Sequence, residues 1–136
     1  MAILDNLAKY RNSGLLILRI GLGIMMMLHG FPKLSGGPNT WTAVGGSMKL
    51  IGIDFIPVFW GLMAGLTESI GGLFLVLGLF FRPVLLLMAF TMVIAATGHL
   101  SDPKQGIMAA SHAIELGFVF VGLLFIGPGK YSIDKK

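Results

Sequence analysis

Four long apolar runs limit what this sequence can fold into. They lie at about residues 14–30, 57–80, 83–100 and 106–126. Each is close to the roughly 20 residues that a helix needs to cross a hydrocarbon layer about 30 Å thick. Lipid cannot satisfy free backbone N–H and C=O groups, so a spanning segment must be a helix or part of a closed barrel. The strict polar–apolar alternation of a barrel strand is absent, which leaves helices. The charge content agrees. Only 12% of the 136 residues are charged and 55% are hydrophobic, whereas a soluble domain carries about 25% charged residues. The sequence therefore predicts a single all-α domain over residues 1–136, an antiparallel bundle of four transmembrane helices in a lipid bilayer.

The junctions set the connections. Gly78 and Pro83 bracket a short turn, so spans two and three form a hairpin. Asp102-Pro103 breaks the chain between spans three and four. Gly127-Pro128-Gly129-Lys130 ends the last helix. Residues 31–56 are too polar to span, holding Pro32, Pro38, Asn39, Lys49 and Asp54. Trp41, Val44, Met48 and Ile51 recur at helical spacing. This connection between helices one and two is read either as an extended, partly helical segment lying at the interface or as an ordered loop. Lys9 and Arg11 precede the first run, but Arg19 interrupts it and no A-x-A site follows, so it reads as an uncleaved span. With the N-terminus inside, Lys9, Arg11, Arg82, Lys130, Lys135 and Lys136 fall in the cytoplasm, against Lys33, Lys49 and Lys104 outside. That bias predicts both termini in the cytoplasm.

Some chemistry is excluded. The chain has no cysteine, which removes disulfides, thiolate metal sites and a CxxC redox pair. Its formal charge of +4 comes from basic residues at segment ends. No basic patch interleaved with aromatics suggests a nucleic-acid partner.

The polar residues inside the spans carry the functional expectation. A charge near the bilayer centre costs about 2.5–3.5 kcal/mol on insertion scales, so such groups face the bundle interior and find partners. At about 1.5 Å per residue, Arg19, Glu68 and Glu115 lie roughly 13–18 Å below the outer face, in one layer. His29, His99 and His112 form a shallower layer, within about 10 Å of that face. Gly61, Gly65, Glu68 and Gly72 share one helical face, and Gly61-x-x-x-Gly65 is a close-packing pattern. Arg19, on a face with Gly23, Met26, Gly30 and Lys33, is the expected partner of Glu68. His112 and Glu115, three residues apart, project together. Each feature also has a plain structural reading. Arg19–Glu68 can simply fix helix register, and His112 and Glu115 can serve packing. His29 and His99 can be solvated helix ends, and Lys33 can reach out to the surface.

Taken functionally, the layers describe a cavity open toward the outer leaflet, lined by the three histidines and two carboxylates. It would hold a polar head group with an apolar tail, such as a quinone. Glu68, His112 and Glu115 would exchange protons with quinone oxygens, with Arg19, His29, Lys33 and His99 as binding groups and Arg19 stabilising developing negative charge. A haem between two histidines is disfavoured because nothing selects the pair. No HExxH or similar spacing marks a metal site.

The quoted residues resemble the DoxX/DoxD family of small bacterial four-span membrane proteins. The resemblance rests on Arg19, His29-Gly30-Phe31-x-Lys33, Glu68-x-x-Gly71-Gly72, His99, Glu115 and Gly127-Pro128-Gly129-x-Tyr131-Ser132, over about residues 15–134. It implies a bacterial cytoplasmic (inner) membrane and a redox or quinone context. DoxD-like members look like the membrane subunit of a thiosulfate:quinone oxidoreductase, and other members are linked to oxidative-stress and thiol-redox complexes. The further domain or subunit expected for thiosulfate oxidation is absent from this chain, which argues against thiosulfate as substrate. The leading expectation is a redox-associated membrane protein that binds a quinone or similar lipid-like ligand, as a membrane subunit of an oxidoreductase. The alternatives are a non-enzymatic scaffold for a soluble redox partner protein and a small proton-coupled transporter. The transporter reading lacks an internal repeat, since the long connection after span one has no counterpart in the second half.

Overall fold

The computed structural model describes residues 2–134, and among them it is all helix and turn. A short helix α1 (Ala2–Asp5) and a 3-10 turn (Asn6–Tyr10) lead into α2 (Arg11–Ser35). Then follow α3 (Gly37–Gly45), a second 3-10 turn (Gly46–Ile51), α4 (Pro57–Leu77), α5 (Phe81–Ser101) and α6 (Ile107–Ile126). Four of these, counting Ile3–Ser35 as one run, are long and apolar enough to cross a membrane. Lys135 and Lys136, both counted in the charge bias, lie outside the described residues.

The first span is longer than the predicted 14–30, because the helix runs through Pro32. Proline removes one backbone donor and interrupts a helix. So near the C-terminal end the loss is small, and Gly36 N–H closes the helix onto Pro32 O at 3.0 Å. The connection that follows is partly helical, over α3 and its 3-10 turn, in keeping with the helical spacing of Trp41, Val44, Met48 and Ile51. The other boundaries fall near expectation. Pro57 opens α4, where its missing N–H costs nothing. Gly78, at φ +69°, closes it. Its N–H bonds to Leu75 O and that of Leu79 to Phe74 O, the Schellman pattern.

Helix α4 is central, packed against α2, α3 and α5, while α6 packs on α5. Apolar side chains gain little by leaving lipid for each other, so close approach is the main source of helix association. The α2–α4 seam achieves it with glycine. A Cβ added to Gly23 would lie 2.4 Å from Gly72 O, and one on Gly72 would lie 2.6 Å from Gly23 O. Gly30 likewise abuts the backbone of Glu68 and Ser69, and Gly61 abuts that of Trp41. The predicted face of Gly61, Gly65, Glu68 and Gly72 is buried as a unit, and its partners belong to the same chain. The α5–α6 pair is filled instead by larger side chains, including Leu85, Met88, Met92, Phe120 and Leu123.

After α6 the chain turns back over the end of the bundle that holds the α4–α5 hairpin. Gly127, Pro128 and Gly129 are buried. Lys130 N–H donates to Asn12 Oδ1 at 3.0 Å. Ile133 and Asp134 N–H groups take the carbonyls of Leu77 and Gly78. The Asp134 carboxylate accepts from the N–H groups of Phe80 and Phe81 at 3.2 and 2.8 Å. It thereby caps the start of α5, where unpaired donors favour an anion.

Candidate functional site

Near their hairpin turn α4 and α5 touch, with Gly71 against Met88 and Val84. Toward the far end of the bundle they border a cavity of about 680 Å³. Its walls are mostly apolar, from Phe59, Trp60, Met63, Leu87, Phe90 and Ile94, with Val44 and Met48 from the connecting segment. Its polar lining is sparse: Lys33, Ser47, Thr67, Glu68, Thr91, His99 and Gln105.

The central polar feature is an ion pair. Lys33 Nζ donates to both carboxylate oxygens of Glu68, at 2.7 and 2.8 Å. The Glu68 side chain is 2% exposed and that of Lys33 30%. Glu68 lies roughly 16 Å along α4 from Pro57 at about 1.5 Å per residue, near the helix midpoint. Lys33 can reach it because Gly30 lets α2 lie directly on the Glu68 backbone. The Lys33 carbonyl, one of the orphan acceptors at a helix end, accepts from Trp41 Nε1 at 2.9 Å. Lys33 has three N–H donors, and two of them go to Glu68.

At the cavity mouth a second polar chain forms. Gln105 Nε2 donates to Asp102 Oδ2 at 3.1 Å. That orients the Gln105 amide so that its oxygen meets His99 Nδ1. A carbonyl oxygen only accepts, so Nδ1 carries the proton and Nε2 is left to exchange one.

The structure thus divides the expected site. Glu68, Lys33 and His99 line one cavity. Arg19 does not pair with Glu68. Helices α2 and α4 are antiparallel, so Arg19 lies beside Gly78, ten residues and about 15 Å along α4 from Glu68. Arg19 is 1% exposed and donates through Nη2 to Tyr131 O at 2.6 Å. Its Nε and Nη1 have no hydrogen-bond partner among the described residues. It sits at the C-terminal end of α4, where the helix dipole favours a cation. Lys33 turns inward to Glu68 instead of outward to the surface. His29, His112 and Glu115 lie elsewhere, exposed between α2 and α6, with the His29 and His112 rings 5.0 Å apart. The expected layer does not form. Helix α2 runs on past residue 30 to Ser35, and Gly30 is level with Glu68, so Arg19 lies well below that carboxylate. For His29, His112 and Glu115, depth along a helix does not say which gap between helices a side chain enters. Gln105 and Trp41 were not foreseen as site residues. Gln105 could have been flagged by its place three residues after Asp102, within the break between two spans.

The comparisons with known proteins fit this architecture. A family model, DoxX, matches residues 14–100. The chain belongs to the DoxX family. An uncharacterised protein of Haemophilus influenzae (strain ATCC 51907 / DSM 11121 / KW20 / Rd) is 30% identical, over 98% of this chain and 97% of its own length. The inner membrane protein YphA of Escherichia coli (strain K12) is 29% identical, over 90% of this chain and 89% of its own. No solved structure matches. The DoxX match spans Arg19, Lys33, Glu68 and His99, and so covers the ion pair and most of the cavity wall.

Proposed function

We propose that this DoxX-family protein binds a lipid-like molecule with a small polar head, of the quinone type, in the α4–α5 cavity, and serves a redox-associated role in a bacterial inner membrane. The observation that carries this reading is the cavity itself: about 680 Å³, within the roughly 300–1,000 Å³ of ligand sites, largely apolar and with few convergent polar groups. The third N–H of Lys33 suits a carbonyl oxygen of the head group. Glu68 holds the ammonium in place and balances its charge in a medium where an isolated charge is costly. His99 suits proton exchange with a ligand oxygen, because its Nδ1 is committed to Gln105 and its Nε2 is not. The inner-membrane location is supported by the name of the E. coli relative. Lys9, Arg11, Arg82 and Lys130, all at the hairpin end, favour that end in the cytoplasm, which turns the cavity toward the outer leaflet.

The test begins with protein purified in mild detergent. Quinone is extracted and quantified per chain by mass spectrometry, after a visible spectrum is recorded. Near-stoichiometric quinone is expected, with most of it lost when Ala95→Phe fills the cavity. If the wild-type chain and Ala95→Phe carry the same trace amount, the ligand reading falls.

A further inference from the structure

The exposed face between α2 and α6 is separate from the cavity. The two helices make no close backbone approach. They meet through side chains, where the His29 and His112 rings lie 5.0 Å apart and Arg11 Nη2 donates to Ile126 O at 3.4 Å. Glu115 lies on this face, one turn deeper than His112. It is roughly 12 Å from the first residue of α6 at about 1.5 Å per residue, and thus near mid-span. It is exposed, and among the described residues the only salt bridge is Lys33–Glu68. An ionisable group at that depth normally faces the bundle interior and has a partner. Among the described residues Glu115 has neither.

The surroundings of Glu115 are those of a helix contact. His112, Glu115, Val119, Gly122 and Ile126 are all exposed. Their spacing alternates three and four residues, which is the seam of a left-handed helix pair. A Cβ on Gly122 would meet nothing within 4 Å, whereas Gly23, Gly30 and Gly72 are all in close contact within the chain. Exposed small residues on a membrane helix permit close approach by another helix.

We propose that this stripe of α6 binds a second copy of the same chain, α6 against α6, about a twofold axis normal to the membrane. The charge pattern selects that occupant. The face presents an acceptor, Glu115, and donors, His112 and His29, within about one helical turn of each other. A twofold interface sets a face against itself, so residue i meets j and j meets i. Equivalent residues then face each other at one depth, Glu115 across from Glu115, and each Glu115 also comes within reach of the other copy's His112, about 4.5 Å away along the axis. Each membrane-exposed carboxylate thereby gains a donor from the other copy.

The absence of cysteine makes the test clean. Single substitutions Val119→Cys and Gly122→Cys are placed in the full chain and oxidised in native membranes. Val93→Cys, exposed on α5, is the control. A disulfide-linked dimer is expected at 119 and 122 and not at 93. Adding Glu115→Leu to Val119→Cys should lower its yield by about threefold to tenfold, the range of an interhelical polar contact in lipid. Monomer at all three positions overturns the proposal, as does cross-linking of Val119→Cys to a different protein. An undiminished yield with Glu115→Leu also overturns it, because the carboxylate would then have no part in the contact.

Discussion

Arg19 and Lys33 lie on the same face of α2, about four turns apart, and both turn toward α4. At the hairpin end the chain closes tightly around Arg19. Gly78 and the segment after Gly129 crowd it, and its partner is a backbone carbonyl at 2.6 Å. At the other end Lys33 borders open volume and its partner is a carboxylate. A buried cation against a neutral acceptor in a filled space leaves no room for a ligand beside it. A cation paired with an anion at the wall of a cavity can also respond to whatever enters. The same residue class on one helix face therefore sits in two settings, and what separates them is whether space remains beside it.

The sharpest way to break this contrast is Lys33→Leu. It leaves Glu68 buried without its partner, and removing one member of a buried pair costs about 3–5 kcal/mol. Thermal unfolding in detergent should show that loss. The double substitution Lys33→Leu with Glu68→Leu should recover most of the stability, since apolar replacement of a buried pair is often neutral, yet ligand binding should stay lost. If the double substitution still binds the extracted ligand, the ion pair only holds the helices in register. The next largest effect is Arg19→Leu, which frees Tyr131 O and loosens the returning segment. About 1–3 kcal/mol is expected, the cost of an unsatisfied buried group, with bound ligand per folded chain unchanged. Asp134→Ala removes the α5 cap and should cost about 0.5–2 kcal/mol. Proteolysis after Gly129 should rise with it while the cavity end stays protected. Gln105→Leu should change stability by less than about 0.5 kcal/mol, as surface substitutions do. It should shift the His99 tautomer away from Nδ1–H in imidazole ¹⁵N spectra. An unchanged tautomer would remove Gln105 as the group that orients His99.

The sequence made the helices legible because their lengths and breaks are set by local chemistry. Apolar runs, Gly78, Asp102-Pro103 and Gly127-Pro128 act where they stand. The buried face of α4 was legible for the same reason, since Gly61, Gly65, Glu68 and Gly72 follow one period. Partner choice was not. Arg19 and Lys33 share a face, so helical phase offered Glu68 two cations, and the register of α2 against α4 selected Lys33. That register is set by the contact of Gly23 with Gly72 and Gly30 with Ser69, which appears only when two helices are laid together. The separation of His99 from His29 and His112 likewise depends on which gap is filled. The gap at the cavity is bordered by α3 and its 3-10 turn, elements whose helical spacing was visible in sequence but whose resting place was not.

The bond from Arg19 to Tyr131 also fixes an order of events during synthesis. A ribosome must add more than a hundred residues after Arg19, including three further spans, before the acceptor exists. Through that interval the first helix sits in the bilayer with an unmatched guanidinium, at an insertion cost of about 2.5–3.5 kcal/mol. That cost is offset in part only when the segment after α6 emerges and Tyr131 O accepts from Arg19. A chain stopped after Ile126 would carry all four spans and still leave that guanidinium unmatched, a defect that membrane quality-control proteases could read.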